Sequence, residues 1–282
     1  MVTARHDGTG QERVDGSVVS GHFMNPLEDT QSQQDTRQVP IQRVGIRGLR
    51  YPVTVLCPGG AAVPTVVSAT LLASLDASER GTHMSRFAAL MHEYRDRLDP
   101  RHLLEMAAKL RASLKAETAQ IILTFPWFVE KTAPITGQPG MVDYQVTWDV
   151  TVSDAAPRFL TSVVVPIATV CPCSKAISER GAHNQRGELT LTLASAAPPW
   201  PDDVIRIAEA SASCELYSVL KRPDEKFVTE RAYDSPSFVE DVVRQAALGL
   251  RALPGIQAFR AQAENFESIH SHNAFAMVEE GW

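Results

Sequence analysis

The 282-residue chain has few cysteines and no long apolar run. Its four cysteines, at positions 57, 171, 173 and 214, are too few and too unevenly spaced for a secreted disulfide scaffold, so we expect reduced thiols. No apolar stretch approaches the roughly 18 residues that a membrane span needs, and the N-terminal sequence MVTARHDGTGQERVDG lacks the apolar core of a signal peptide. We therefore expect a cytoplasmic protein that does not bind a membrane.

The chain also lacks an excess of positive charge. Twenty-seven Lys and Arg residues against 33 Asp and Glu residues give a net charge of −6, which disfavours general binding to nucleic acid. We expect no nucleic-acid partner, and an anionic ligand would have to meet a local basic cluster. Hydrophobic residues at 44% and charged residues at 21% are typical of a folded globular chain, which excludes wholesale disorder and fibrous proteins.

The pattern of the first half predicts a tail followed by a ββααββ module. Residues 1–38 are polar without an apolar period and predict a flexible tail. Alternating apolar residues from Ile41 predict a strand, with a bulge near Gly48 where the phase slips. A second strand, two helices, the second capped by Asp99, and two more strands complete a module over residues 39–155.

The second half, residues 156–282, shows a similar order. Strand patterns cover 158–170 and 188–194, a helix is expected over 202–220, and strands close the chain near 258–267 and 274–279. A further helix is expected to start near Ser235, where Ser237 and Glu240 have capping-box spacing. We therefore predict an α+β protein with antiparallel sheets and two ββααββ modules, each with a helix pair.

Residues 171–186, CPCSKAISERGAHNQR, combine thiols, imidazole and cations between two predicted strands. A loop could bring Cys171 and His183 together on a borderline-soft cation such as zinc. The alternative is that the cysteines are small buried apolar residues, as most free cysteines are. Glu225, in PDEK, and His270 and His272, in ESIHSH, add further metal or proton-transfer groups, although each alone could be a solvated polar edge. Together they resemble a four-ligand catalytic site.

Three segments, CPCSKAISERGAHNQR, RPDEKFVTE and ESIHSHNA, resemble the signature stretches of the type IB GTP cyclohydrolase I family. GTHMSRF at 81–87 and GIRGLRYPV at 45–53 add to the resemblance. It implies the tunnelling fold, with two ββααββ units per chain that assemble through barrel-like sheets into a homotetramer with active sites at subunit interfaces. It also implies a hydrolase for cyclic-amidine carbon–nitrogen bonds, which converts GTP and water to 7,8-dihydroneopterin triphosphate and formate in the first step of folate biosynthesis.

The resemblance further implies roles for individual residues. One divalent metal ion, zinc, manganese or iron, would be held by Cys171, His183, Glu225 and His270, and metal-bound hydroxide would attack guanine C8. The implied catalytic residues are Cys171, His183, His270 and His272. A protonated imidazole among these histidines could donate a proton to N7 as C8 becomes tetrahedral, and which one does so is open.

The resemblance also indicates substrate contacts. Glu240 resembles the carboxylate that anchors the purine or pterin, since it could accept hydrogen bonds from N1–H and the exocyclic amine of guanine. The alternative from the residues alone is an exposed capping residue. The triphosphate also needs cations, and Lys175, Arg186 and Lys226, which lie close to the proposed ligands in the sequence, would bind it. The alternative is that they are solvated surface charges. Further candidates for phosphate binding are Ser85, Arg86, Arg180, Lys221, Arg222 and Arg231.

Other functions are compatible with the same ligands. A related tunnelling-fold enzyme could act on another purine or pterin, or a cyclohydrolase variant could yield a cyclic-phosphate product. A metal-buffering or structural module could close the same coordination shell without leaving a water position.

Overall fold

The computed structural model describes residues 29–282. Most of the predicted tail, residues 1–28, lies outside this range. The remainder of it runs beside the segment that follows the second strand, because the backbone amide of Asp35 donates to the carbonyl of Ser78 and the amide of Arg80 donates to that of Gln33, at 2.8 and 3.1 Å. Within the described residues, no helix is long and apolar enough to cross a membrane.

The described residues form nine strands and six α-helices. The strands are β1 (Ile41–Leu56), β2 (Ala62–Leu75), β3 (Ala119–Thr132), β4 (Pro139–Val152), β5 (Arg158–Val170), β6 (Asn184–Ser195), β7 (Cys214–Glu215), β8 (Ile256–Asn265) and β9 (Ala274–Glu280). The helices are α1 (Met84–Tyr94), α2 (Pro100–Leu114), α3 (Pro172–Ile177), α4 (Pro201–Ala210), α5 (Arg222–Asp234) and α6 (Val239–Ala252).

All nine strands belong to one antiparallel sheet, in the order β1-β2-β3-β4-β5-β6-β8-β9 with β7 beside β5. The predicted α+β class with an antiparallel sheet is therefore confirmed. Pairing of β4 with β5 carries the sheet across residue 155, the expected module boundary. Alternate residues such as Val146, Trp148 and Val150 are buried in a core shared by both halves, beneath the helices.

Local features of the first half follow from its sequence. The register of β1 against β2 shifts between Ile46 and Leu49, which confirms the bulge expected at Gly48, where φ is +71°. Asp99 caps α2 as expected, since its carboxylate accepts a hydrogen bond of 2.8 Å from the amide of His102. The first half therefore has the element order ββααββ that its pattern predicts.

The second half differs from the prediction. The prediction of one continuous helix over 202–220 is wrong. Helix α4 begins at Pro201, as expected, but ends at Ala210, and a separate helix, α5, begins at Arg222. Between them, Ser211 donates to the carbonyl of Ile207 and Ser213 accepts from the amide of Val170, so these hydroxyls bond to backbone at the point where the helix stops. Helix α5 buries only Asp224 and has no apolar stripe that a helical period would reveal.

The capping box predicted for α6, Ser237 with Glu240, is also wrong, because the box lies one residue further along the chain. The helix begins at Val239, and the amide of Phe238 donates to the carboxylate of Asp241 at 3.2 Å. The amide of Ser237 bonds instead to the carbonyl of Val170 at 3.0 Å. Glu240 is therefore not the capping residue, and its carboxylate lies exposed in the first turn.

Candidate active site

Cys171 and His183 lie opposite each other at the end of the β5–β6 ladder. The last register pair of the two strands is Val170 with Asn184, and beyond it the amide of Cys171 donates to the carbonyl of His183 at 3.1 Å. The intervening residues form the short helix α3 and a loop that turns back at Gly181, where φ is +84°. The fold thus brings together a thiol and an imidazole that are twelve residues apart.

Ser174 contacts the backbone of both residues. Its hydroxyl donates to the carbonyl of Cys171 at 3.2 Å and accepts from the amide of His183 at 3.1 Å. Its own amide donates to the sulfur of Cys171 at 3.5 Å. Cys171 is half-buried and Cys173 is exposed, so neither behaves as a small buried apolar residue.

A second pair of side chains lies two residues inward along the ladder, on the same face. Side chains two residues apart on a strand point to the same side, so Thr169 accompanies Cys171 and Gln185 accompanies His183. The Nδ1 atom of His183 lies 3.0 Å from Oε1 of Gln185, whose Nε2 donates to the hydroxyl of Thr169 at 2.7 Å. Both partners are buried, with Gln185 7% and Thr169 0% exposed.

The segment after β8 reaches the same end of the sheet. The amide of Phe266 donates to the carbonyl of Arg186 at 2.8 Å, and the hydroxyl of Ser268 lies 3.5 Å from Nδ1 of His183. His270 and His272 follow on the exposed part of this loop, with ring centroids 5.2 Å apart and planes 17° from parallel. The loop therefore presents two adjacent imidazoles to solvent.

Glu225 lies exposed in the first turn of α5, directly after the buried Asp224. The carboxylate of Asp224 accepts hydrogen bonds of 2.9 Å from the amides of Ile135, Thr136 and Lys221, and one of 2.7 Å from the Thr136 hydroxyl. Burial alone would raise the pKa of Asp224, but these hydrogen bonds hold it well below its usual range. The start of α5 is thus fixed to the β3–β4 turn.

A cavity of about 450 Å³ separates the loop before β6 from α5. Its lining includes Ala182 and Asn184, on either side of His183, and Tyr233 of α5. Lys175 of α3 donates to the carbonyl of Tyr233, and its ammonium lies 4.2 Å from the centroid of that ring. Glu215 also lines this cavity.

The charge on Glu215 is stabilised from two sides. Burial alone would raise the pKa of this carboxyl, but the Tyr217 hydroxyl at 2.6 Å and the Arg231 guanidinium at 2.9 Å, among other contacts, hold it below its usual range. Arg231, a further candidate for phosphate binding, is therefore already paired with a carboxylate.

The donor types at this end of the sheet suit a borderline-soft divalent ion, since they combine thiol, imidazole and carboxylate. Among residues 29–282, however, no three His, Cys, Asp or Glu side chains come together as a metal-binding group. The fold brings Cys171 and His183 together, whereas Glu225 and His270 do not join them in one cluster within a single chain. The donor types of the four expected ligands fit a metal ion, and two of these residues, Cys171 and His183, are adjacent in the structure.

The expected substrate-binding residues are spread over several elements. Glu240 is near the chain segment that holds Cys171, because the amide of Ser237 bonds to Val170. Arg186 is exposed on β6, and Lys226 on α5 forms an exposed ion pair of 2.7 Å with Glu230.

Two of the further candidates for phosphate binding lie on α1, in the first half of the chain. They are Ser85 and Arg86, and the guanidinium of Arg86 donates to the carbonyl of Ser113 at 3.1 Å.

Sequence reasoning missed Thr169, Ser174, Gln185 and Asp224 as parts of the site. The period-2 spacing of His183 and Gln185 could have indicated a shared face, but the apolar pattern predicts the strand only over 188–194, whereas β6 begins at Asn184. Thr169 could be found only by aligning the two strands in register, and the turn that holds Asp224 lies in the other half of the chain.

Comparison with known proteins identifies close relatives. Residues 27–276 match the family described as Type I GTP cyclohydrolase folE2. The chain is 50% identical over 254 residues to GTP cyclohydrolase FolE2 of Bordetella pertussis, covering 90% of this chain and 96% of that protein. It is 49% identical over 259 residues to GTP cyclohydrolase FolE2 of Paraburkholderia xenovorans, covering 91% and 97%.

Among solved structures, uricase from Arthrobacter globiformis is similar with a TM-score of 0.52 and 8% identity, over 86% of this chain and 93% of that one. A hyper-thermostable variant of a uricase gives a TM-score of 0.53, also at 8% identity, over 86% of this chain and 92% of that one. At this identity the likeness concerns the fold alone, which is that of uricase, a tunnelling-fold protein.

Proposed function

The chain belongs to the type I GTP cyclohydrolase FolE2 family and converts GTP to dihydroneopterin triphosphate in folate biosynthesis, and we propose that the end of the β5–β6 ladder is where this reaction takes place. The observation that carries this placement is the opposition of Cys171 and His183, whose chain neighbours Val170, Ala182 and Asn184 line a cavity of about 450 Å³. The reaction releases formate from the guanine imidazole ring.

Cys171, His183, Glu225 and His270 are the proposed ligands of one divalent metal ion. Their sulfur, nitrogen and oxygen donors suit zinc, manganese and iron. When bound, such an ion would make a water molecule nucleophilic at neutral pH, which the poorly electrophilic C8 of guanine requires.

Proton transfer to guanine is assigned to the histidines of the site. His183, His270 and His272 are the proposed catalytic imidazoles, and one of them that is not fully committed to the metal ion donates a proton to N7 as C8 becomes tetrahedral. The stacked and exposed arrangement of His270 and His272 supports their availability to a substrate that enters from solvent.

Recognition of guanine is assigned to Glu240. A carboxylate can accept two parallel hydrogen bonds, from N1–H and the exocyclic amine, and adenine offers no such edge. Two observations support this role: Asp241 performs the capping that Glu240 would otherwise perform, and α6 begins beside Val170. Lys175, Arg186 and Lys226 are the proposed phosphate-binding cations.

We also propose that the chain forms the barrel-like homotetramer of the tunnelling fold, with active sites at subunit interfaces and with 39–155 and 156–282 as its two modules. Among the described residues, β1 pairs with β2 on one side and, on the other, only its last residues, 54–56, bond to the segment before α2. In the same part of the chain β9 pairs with β8 alone, so β9 and most of β1 each leave one edge for another chain. Phe275 and Met277 on β9 are 59% and 46% exposed, which favours a partner at that edge. Light scattering of the purified protein tests this assembly.

The function is tested by anaerobic incubation of the metal-reconstituted protein with GTP. Formate release and the fluorescence of the oxidised pterin are followed together, in the wild type, in Cys171→Ala and in the matched control Cys173→Ala. We expect both products from the wild type and the control, dependent on added metal, and neither from Cys171→Ala. Metal binding without either product would instead indicate a metal-buffering module.

A further inference from the structure

We propose that Gln185 is a positioning residue that fixes the orientation and tautomer of His183, so that Nδ1 carries the proton and Nε2 is the nitrogen left for the metal ion. This inference rests on the proposed function, in which His183 is a ligand. Neither the resemblance of the sequence segments nor the family comparison assigns a role to Gln185.

The geometry begins at Thr169, on the neighbouring strand. Thr169 and Gln185 are direct register partners, and the amide nitrogen of Gln185 donates to the hydroxyl of Thr169 at 2.7 Å. In this orientation of the amide, the carbonyl oxygen of Gln185 is the end that faces His183, 3.0 Å from Nδ1. A carbonyl oxygen can only accept, so the ring nitrogen must donate.

A neutral imidazole that donates from Nδ1 has its lone pair on Nε2. Among the described residues, the other polar atom near Nδ1 is the hydroxyl of Ser268, at 3.5 Å, which is too long to compete with the 3.0 Å contact. Gln185 therefore selects the tautomer before any ion arrives. A side chain that accepts a hydrogen bond from a ligating imidazole orients that ligand, and its removal typically changes metal affinity by roughly 10- to 100-fold.

Burial protects the hydrogen bonds of Gln185 from replacement by water. Gln185 is 7% exposed and Thr169 is fully buried, so water has little access to replace either hydrogen bond. Replacing Gln185 with an apolar residue of similar size would leave Nδ1 without its acceptor and would allow the ring to rotate or to exchange tautomers. The affinity for the metal ion would then fall, because Nε2 would no longer carry the lone pair in every molecule.

The test measures the dissociation constant of zinc for the metal-free protein, by competition with a chromophoric chelator, in Gln185→Leu and Gln185→Glu. We expect Gln185→Leu to raise the dissociation constant by roughly 10- to 100-fold. Gln185→Glu keeps an acceptor toward Nδ1 and should stay within a few-fold of the wild type. The matched control is Gln120→Leu, which removes a half-buried glutamine whose amide donates to Asp149 on the sheet, at 2.8 Å.

Wild-type affinity in Gln185→Leu, or an equal loss in Gln185→Leu and Gln185→Glu, would overturn the acceptor role. If Gln185→Leu does not fold, Thr169→Val removes the hydroxyl that orients the amide. A weaker zinc affinity in this variant then supports the inference, and an unchanged affinity overturns it. A wild-type protein that binds no metal, or that binds it and releases no formate from GTP, would instead overturn the proposed function, and the inference with it.

Discussion

The hydroxyl of Thr136 donates a hydrogen bond of 2.7 Å to the carboxylate of Asp224, 88 residues further along the chain. The same carboxylate accepts from two amides of the β3–β4 turn and from the amide of Lys221, so it caps α5 and attaches it to the first half of the chain. Glu225 is the next residue. A turn in the first half of the chain thus fixes the position of one proposed ligand.

Thr136→Val should weaken this attachment without altering any proposed ligand. Loss of a hydrogen bond to a charged carboxylate lowers the free energy of unfolding by about 1.5 kcal/mol. We expect a lower midpoint in urea denaturation and weaker zinc binding, because α5 is held less firmly. Thr132→Val, on β3 before the same turn, is the control. Equal zinc affinity in Thr136→Val and the wild type would contradict a link between this turn and Glu225.

Cys171→Ser should abolish turnover mainly through loss of bound metal. An alcohol is a far poorer ligand than a thiolate for a borderline-soft ion, so we expect the metal content after dialysis to fall together with formate release. Cys173→Ser is the matched control, because Cys173 is exposed on α3 and is not a proposed ligand. Elemental analysis of both variants checks the prediction. Normal metal content and full activity in Cys171→Ser would exclude Cys171 as a ligand.

The parts of the fold that the sequence predicts well are those where burial imposes a period. Val146, Trp148 and Val150 alternate because one face of β4 packs against the core, and the pattern is visible in the sequence alone. Helix α5 has no such pattern, because a single buried carboxylate attaches its start and its other side chains are half-buried or exposed. Its position depends on a turn in the other half of the chain, which local periodicity does not report.

The candidate site, too, is only partly predictable from the sequence. Cys171 and His183 are recognisable from residue type and spacing, whereas the interaction of Thr169 with Gln185 depends on strand register. Register follows from the pairing of whole strands, and a shift of one residue would place Gln185 on the opposite face. The residues that hold the ligands in place are therefore harder to predict than the ligands themselves.

Glu240→Ala should raise the KM for GTP by roughly 100-fold or more, since it removes two hydrogen bonds to a charged group that each contribute about 1.5 to 3 kcal/mol. The variant should also lose its preference for GTP over inosine triphosphate, which lacks the exocyclic amine. Asp241→Ala is the control: it removes the cap of α6 and should lower stability while guanine selectivity is kept. Steady-state kinetics with both nucleotides provide the check. Unchanged selectivity in Glu240→Ala would count against its role.

Lys131 and Glu209 form an ion pair of 2.7 Å between β3 and α4, with side chains only 11% and 17% exposed. The Tyr144 hydroxyl also donates to this carboxylate at 2.7 Å. Lys131→Met leaves a buried carboxylate without its cation and should destabilise the fold by about 3 kcal/mol. Lys131→Met combined with Glu209→Gln should cost less than the sum of the single changes, as measured by urea denaturation. Additive effects would show that the pair is not coupled.

Asp99 provides a test of pH dependence. Burial alone would raise its pKa, but the amide and the ring of His102 hold the pKa below the usual value of 3.8. A carboxyl whose pKa is lowered on folding stabilises the protein above the unfolded pKa, and this contribution is lost as the pH falls through the folded pKa.

Asn can still cap α2, so Asp99→Asn isolates the effect of the charge. We expect wild type to be more stable than Asp99→Asn at pH 7, with the difference shrinking below pH 3.8. Urea denaturation of the metal-free proteins at both ends of this range measures it, and a constant difference would show that the charge of Asp99 does not contribute.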